Sequence, residues 1–332
     1  MMRLNTQQIQ RLGGMIIISL FFVKCTNNKP VVSVLGEMEV PLDNPMFPEK
    51  IELGRKLFFD TRLSSDGTVS CATCHDPSKA FTDQLPLSNG VDGKKSMRNA
   101  ISLLNVGFMK TLMFDAHIES LEIQALVPIR DENEMNSSIP ELINRLKAIP
   151  EYQNAARSIF KRDFDPWVLT RSLAAFQRSL VSDNAKFDQW KRGEVTLTAA
   201  ELNGWKLFSE KLYCTQCHPP PFFTTRGAAN NGLYADYTGM EDQGRFRIDI
   251  DSTQIGTFKI PSLRNNELTF PYMHDGSLKS IDDVIQHYEQ GGKQHALQST
   301  IIQPFKLNSR ERMELKSFLK TLTDTTYLVD FQ

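Results

Sequence analysis

The sequence predicts a mainly α-helical chain built from two related units, on three observations. Apolar residues recur three and four apart in several segments that open on capping residues. Alternation of apolar and polar residues is nearly absent, the exception being a short stretch from Phe246 to Ile250 that could form a strand. Several short patterns also occur twice in the same order, the mark of an internal repeat.

The repeat sets the units. Gly54-Arg55-Lys56-Leu57-Phe58 matches Gly204-Trp205-Lys206-Leu207-Phe208. Downstream, Arg98-Asn99 and Arg264-Asn265 each precede an aspartate, Asp115 or Asp275, with Ser120-Leu121-Glu122 or Ser280-Ile281-Asp282 following. The units meet near residue 190, where Lys191-Arg192-Gly193-Glu194 separates helical patterns, giving segments 48–190 and 191–332. A chain of 332 residues with 40% hydrophobic content is long enough for two ordinary cores.

In chain order, residues 26–47 form an extended tether and surface wrap marked by Pro41 and Pro45. Residues 48–59 predict a helix, with proline at its start, glutamates in its first turn, and Ile51, Leu53, Leu57 and Phe58 on one side. Residues 141–146, 151–160 and 165–180 predict further helices, the last opened by Asp165-Pro166 as cap and first turn. Residues 280–290 predict another, stopped by Gly291-Gly292.

The N-terminus has a separate purpose. Met1 to Arg11 carries two arginines and no acid, and Gly13 to Val23 is an apolar run of 11 residues. Spanning a bilayer takes roughly 20 residues, so 1–25 is expected to be a signal peptide. The run ends at Cys25, followed by the polar stretch Thr26-Asn27-Asn28-Lys29-Pro30, as in bacterial lipoproteins, although Lys24 replaces the usual small residue. The alternative is plain cleavage, with Cys25 lost or left free. Either reading exports the chain to the periplasm or cell envelope, and lipidation of Cys25 would tether it to a membrane.

A net charge of -1, from 38 basic and 39 acidic residues, gives no footprint for nucleic acid. The cysteines are more telling. Of five, four lie in Cys71-Ala72-Thr73-Cys74-His75 and Cys214-Thr215-Gln216-Cys217-His218. This spacing is the attachment signature of c-type haem: each thiol can form a thioether to a vinyl group, and the histidine is placed to ligate the iron. One copy could equally be a zinc half-site or a redox dithiol; two copies, each with its histidine, predict two covalent haems in two cytochrome-c-like domains.

These motifs, with Phe114-Asp115, Glu134-Met135, Ile260-Pro261-Ser262-Leu263-Arg264-Asn265 and Pro271-Tyr272-Met273-His274-Asp275-Gly276, resemble the bacterial di-haem cytochrome c peroxidase family, which includes the MauG-type enzymes. The likeness runs from about Pro48 to Leu322. Peroxide reduction at iron needs an open coordination position, a base and a polar donor. The resemblance implies Glu134 as the acid/base, Gln124 as the orienting amide and Pro128 as a pocket wall beside the His75 haem. Taken alone, Asp131 to Glu134 could be a solvated acidic turn and Gln124 a surface residue.

The chain departs from the family at several places. The loop Gln84 to Met97 has no histidine to cap the first iron, and Val91 stands at the corresponding position. His117 replaces a usual arginine and is expected to be structural or propionate-facing. The second haem's sixth ligand would be Tyr288, as in MauG-type enzymes, where other members have methionine; Met273 is the alternative ligand, and Tyr288 could also be a core aromatic. Phe114 and Leu212 stand where tryptophans serve electron transfer in the family. The resemblance also implies a calcium ion held by the Asn99 side chain and the Thr269 and Pro271 carbonyls.

The function expected is a di-haem c-type peroxidase that reduces hydrogen peroxide with electrons from a small redox protein, a cytochrome c or a cupredoxin. The alternatives are a MauG-like oxidase of a protein or small molecule, and a non-catalytic di-haem electron carrier. A homodimer is left open.

Overall fold

The structure, a computed structural model, describes residues 33 to 331. The expected signal peptide and Cys25 lie outside the described residues. Helix α1 is Pro48–Phe58, with proline in its first turn, Glu49 beside it, and Arg55 and Lys56 in its last turn. Those charges complement the helix dipole at both ends. The short α2 (Cys71–Cys74), α3 (Leu121–Gln124) and α4 (Leu126–Arg130) follow, then α5 (Ile139–Lys147), α6 (Pro150–Phe160) and α7 (Pro166–Ser179). The expected cap is present, Asp165 accepting from the Val168 N–H at 2.9 Å.

Then come α8 (Lys186–Lys191) and α9 (Ala199–Lys206), which runs into a π-helical turn, Leu207–Lys211, just before the second cysteine motif. α10 (Phe246–Asp249), α11 (Ile281–Glu289) and α12 (Ser309–Lys320) complete the helices used below. α11 opens on Ser280, whose hydroxyl and the Asp283 carboxylate cap each other's backbone.

Phe246 to Ile250 is helix, not strand. The Arg245–Asp249 ion pair at 2.5 Å staples the turn, and Ile250 ends it at φ 54°. Ile248 and Ile250 are exposed, so the alternating pattern has no core face to serve. The small sheet lies elsewhere: β1 (Ala228–Ala229) pairs antiparallel with β2 (Phe258–Lys259), Ala228 opposite Lys259.

Two apolar clusters form the core. The first gathers Leu57, Phe58, Phe81, Ile129, Leu142 and Phe176; the second gathers Phe187, Phe208, Phe223 and Phe318. α1 lies on α7 and α9 on α12, and the two contacts are alike. A Cβ on Gly54 would stand 2.0 Å from the Ser172 carbonyl oxygen, and one on Gly204 would stand 2.0 Å from that of Glu314. The rings four residues on also pair, Phe58 with Phe176 at 4.9 Å and Phe208 with Phe318 at 5.1 Å.

Two segments cross this plan. Within the extended N-terminal stretch Leu42 is fully exposed but Asn44 is fully buried, donating to Glu122 at 2.7 Å and accepting from Lys50 at 2.9 Å. At the other end, Tyr327 and Phe331 return to the first cluster and pack on Phe81 at 6.1 and 5.2 Å.

Candidate functional site

Each cysteine motif forms one tight turn. The His75 N–H donates to the Cys71 carbonyl at 2.9 Å, and the His218 N–H to that of Cys214 at 2.8 Å. Cysteines three apart on such a turn share a face, and all four thiols are free. Burial pushes the Cys71 thiol up to about 12, Cys74 to about 11 and Cys214 to about 12, and raises Cys217. They are therefore thiols at neutral pH, not the activated thiolates of a redox dithiol.

The two histidines are held identically. His75 Nδ1 meets the Phe81 carbonyl at 2.9 Å, and His218 Nδ1 meets the Phe223 carbonyl at 2.9 Å. A carbonyl can only accept, so Nδ1 carries the proton and Nε2 keeps the lone pair a metal needs. Burial lowers both imidazoles below the usual histidine range and keeps them neutral. Phe81 and Phe223 sit at φ 57° and 52°, a region bulky residues rarely adopt. That conformation aims each carbonyl at its ring.

Glu134 stands beside the first turn. Burial, with the Asp131 charge adding, pushes its carboxyl up to about 7, and its charge is felt at both Cys71 and Cys74. The backbone fixes its place: the Glu134 N–H donates to Asp131 at 3.1 Å and its carbonyl accepts from Val91 at 2.9 Å. Val91 is fully buried and offers no ligand atom. Pro128 joins the same turn, its carbonyl accepting from the Met135 N–H at 3.2 Å. Gln124, at the end of α3, directs its amide to the Met113 sulfur at 3.8 Å.

Tyr288 stands beside the second turn. Burial raises its phenol, the Asn231 side chain opposes that rise, and the Cys217 and Cys214 charges add to it. Its neighbour His287 turns to the Asn231 carbonyl at 3.1 Å. Met273 gives its sulfur to the Asn231 amide at 3.2 Å. Asn231 thus lies between the two candidate ligands, in an Asn230-Asn231-Gly232 stretch whose only sequence signal is that of a turn.

A polar cluster joins residues far apart in sequence. Arg98 forks onto Asp242 with two bonds of 2.6 Å and reaches Asp115 at 2.5 Å. His274 stacks on Phe258, ring centres 3.7 Å apart. His117 Nδ1 is buried with no hydrogen-bond partner, 3.9 Å from an Asp115 oxygen. Arg98 was flagged by motif, but Asp242 carries no local signal, because the pair spans 144 positions. Arg264 pairs instead with buried Asp188, at 2.7 and 2.8 Å. Asn265 and Asn105 are alike in being buried and left-handed, at φ 58° and 62°.

At the expected calcium positions, the Asn99 N–H donates to the His274 carbonyl at 2.8 Å and its side-chain amide to the Leu85 carbonyl at 2.7 Å. Thr269 and Pro271 lie on the adjoining segment. Phe114 gives its carbonyl to the Lys259 N–H at 2.7 Å, and Leu212 ends the π-helical turn.

The residues fit c-type haem better than a bare metal. Among the described residues no cluster of three or more His, Cys, Asp or Glu can hold an ion directly, so the four cysteines do not converge as a zinc site requires. Each turn instead offers two thiols and one histidine with an available Nε2, the set needed when a porphyrin supplies the equatorial nitrogens.

The profile of the di-haem cytochrome c peroxidase family matches residues 48–196. The methylamine utilization protein MauG of Methylorubrum extorquens is 39% identical over 286 residues, covering 85% of this chain and 80% of its own. The cytochrome c551 peroxidase of Nitrosomonas europaea is 31% identical, covering 84% and 81%. Among solved structures, a MauG-like protein associated with microbial copper homeostasis superposes with a TM-score of 0.85 at 34% identity, covering 91% of this chain and 97% of that one.

Proposed function

Since the chain belongs to the family of di-haem cytochrome c peroxidases and MauG-type oxidoreductases, we propose that it is a di-haem c-type peroxidase reducing hydrogen peroxide to water. Cys71, Cys74 and His75 would hold the first haem, and Cys214, Cys217, His218 and Tyr288 the second. The observation that carries this reading is Glu134: a half-buried carboxyl pushed up to about 7 and within electrostatic reach of the first pair of thiols.

When bound, the first haem supplies the electrons that cleave the peroxide bond. Glu134 would take a proton from one peroxide oxygen and return it to the other, and a pKa near neutral suits both transfers. Gln124 donates its amide to orient the peroxide, and Pro128 closes the wall without offering a ligand. Val91 cannot cap the iron, so the first site works without prior reduction. Electrons arrive at the second site from a small cytochrome or cupredoxin.

The matched helix pairs and matched histidine–carbonyl bonds support an internal duplication, with a peroxidatic unit over 48–190 and an electron-transfer unit over 191–332. We read the N-terminus as exporting the chain, with a lipid at Cys25, and Asn99, Thr269 and Pro271 as a calcium site.

A second reading, oxidation of a protein or small molecule in the MauG manner, is favoured by Tyr288 beside the second turn. Phe114 and Leu212 count against it, since neither side chain hops electrons as tryptophan does. The test is steady-state peroxide turnover with a reduced c-type cytochrome and no pre-reduction, alongside low-temperature EPR of the oxidised protein. Immediate turnover with a high-spin ferric signal supports the peroxidase. Two low-spin signals and turnover only after reduction would mean that a ligand caps the first iron and the loop reading is wrong, whereas no turnover in either state would sink the peroxidase.

A further inference from the structure

Among the described residues, the enclosed arginines pair with carboxylates, and the buried Lys50 donates to Asn44 and to the Pro45 carbonyl. Arg98 has Asp242 and Asp115, Arg264 has Asp188, and Arg178 has Glu122. Lys259 on β2 is only 8% exposed; burial alone lowers its ammonium to about 8, and no carboxylate acts to raise it. A buried ammonium without a counter-charge is costly, and side chains in that position usually meet an anion.

Its location says which anion. The Lys259 N–H donates to the Phe114 carbonyl at 2.7 Å, in the segment that leads to the first pocket. Two residues on, the Pro261 carbonyl faces the His218 ring. Lys259 therefore lies where the surroundings of the two cysteine turns meet. Close by in the chain from Phe114, the buried His117 Nδ1 also lacks a partner. The Lys259 backbone is thus bonded to the segment that carries a buried imidazole nitrogen without a hydrogen-bond partner. A c-type haem fixed through its vinyl edge brings two carboxylates on its propionate edge.

We infer that Lys259 is the counter-ion of a haem propionate at the seam between the two sites, and that its charge sets the potential of that haem. The inference rests on the di-haem reading. A fixed positive charge near the iron disfavours the ferric state, so removing it lowers the midpoint potential.

The test uses full-length protein matured in a host that attaches c-type haem. Intact mass is measured first: fewer than two haems on the wild type would overturn the di-haem reading itself. Redox titration by visible absorption then compares wild type, Lys259→Met and Lys259→Arg. The expected result is two haems throughout and, in the methionine variant, one midpoint lowered by about tenfold in its reduction equilibrium, 59 mV for one electron. Arginine should restore most of it. Unchanged midpoints in Lys259→Met with two haems attached overturn the proposal. Where that variant does not hold both haems, Lys259→Gln, similar in length but uncharged, is titrated instead. In the wild type, a propionate bending mode should shift in resonance Raman on exchange into D2O; no shift for any propionate counts against the contact.

Discussion

Asn231 donates its side-chain amide to the sulfur of Met273 across 3.2 Å, and the same side chain acts on the Tyr288 hydroxyl. An amide donor favours the phenolate, the form in which a tyrosine ligates ferric iron. Tyr288→Phe should therefore replace a low-spin ferric EPR signal by a high-spin one, with both haems retained. Met273→Leu should leave the spectrum as it was. The reverse pattern would make Met273 the ligand.

Glu134→Gln should lower peroxide turnover by about 10²–10⁴-fold, the usual contribution of a positioned acid/base. Haem content should not change. Burial raises the carboxyl to about 7, and the basic form gains population above that value. Turnover by the wild type should therefore rise as pH passes through about 7, and the glutamine variant should lose that rise. A non-catalytic carrier would show neither effect in its electron-transfer rate.

Gly54→Ala and Gly204→Ala should each destabilise the fold by about 1–3 kcal/mol. In both cases the new methyl meets a backbone carbonyl at 2.0 Å, an atom that cannot swing aside. Thermal unfolding of the two variants should be similarly lowered, since the contacts are matched.

Asp188→Ala should cost about 3–5 kcal/mol, because it leaves the Arg264 guanidinium buried and alone. Asp188 is fully buried and its two oxygens take both arms of the arginine. Chemical denaturation of haem-loaded protein measures this; a loss under 1 kcal/mol would mean that water reaches the site.

Covalent chemistry was the most legible part, because Cys71, Cys74 and His75 must be neighbours in sequence to act on one haem. Helices α1, α6, α7 and α11 were legible from spacing and caps, within a residue or two at each end. Phe246 to Ile250 misled because alternation is informative only where one face is buried. Asn231, Asp242 and Lys259 were invisible for a common reason: each acquires its meaning from a residue far away in sequence. The Phe81 and Phe223 carbonyls were invisible for another, since backbone direction depends on φ and no side chain announces it.

The ring of Tyr327 rests on Phe81, and the carbonyl of Phe81 holds His75. A unit cut off near residue 190 would lack that support, so its histidine would be less firmly aimed. The first histidine is thus fully steadied only once the segment around Tyr327 has folded back onto the first cluster. A tag or truncation at the far end should disturb the first haem's spectrum before the second's.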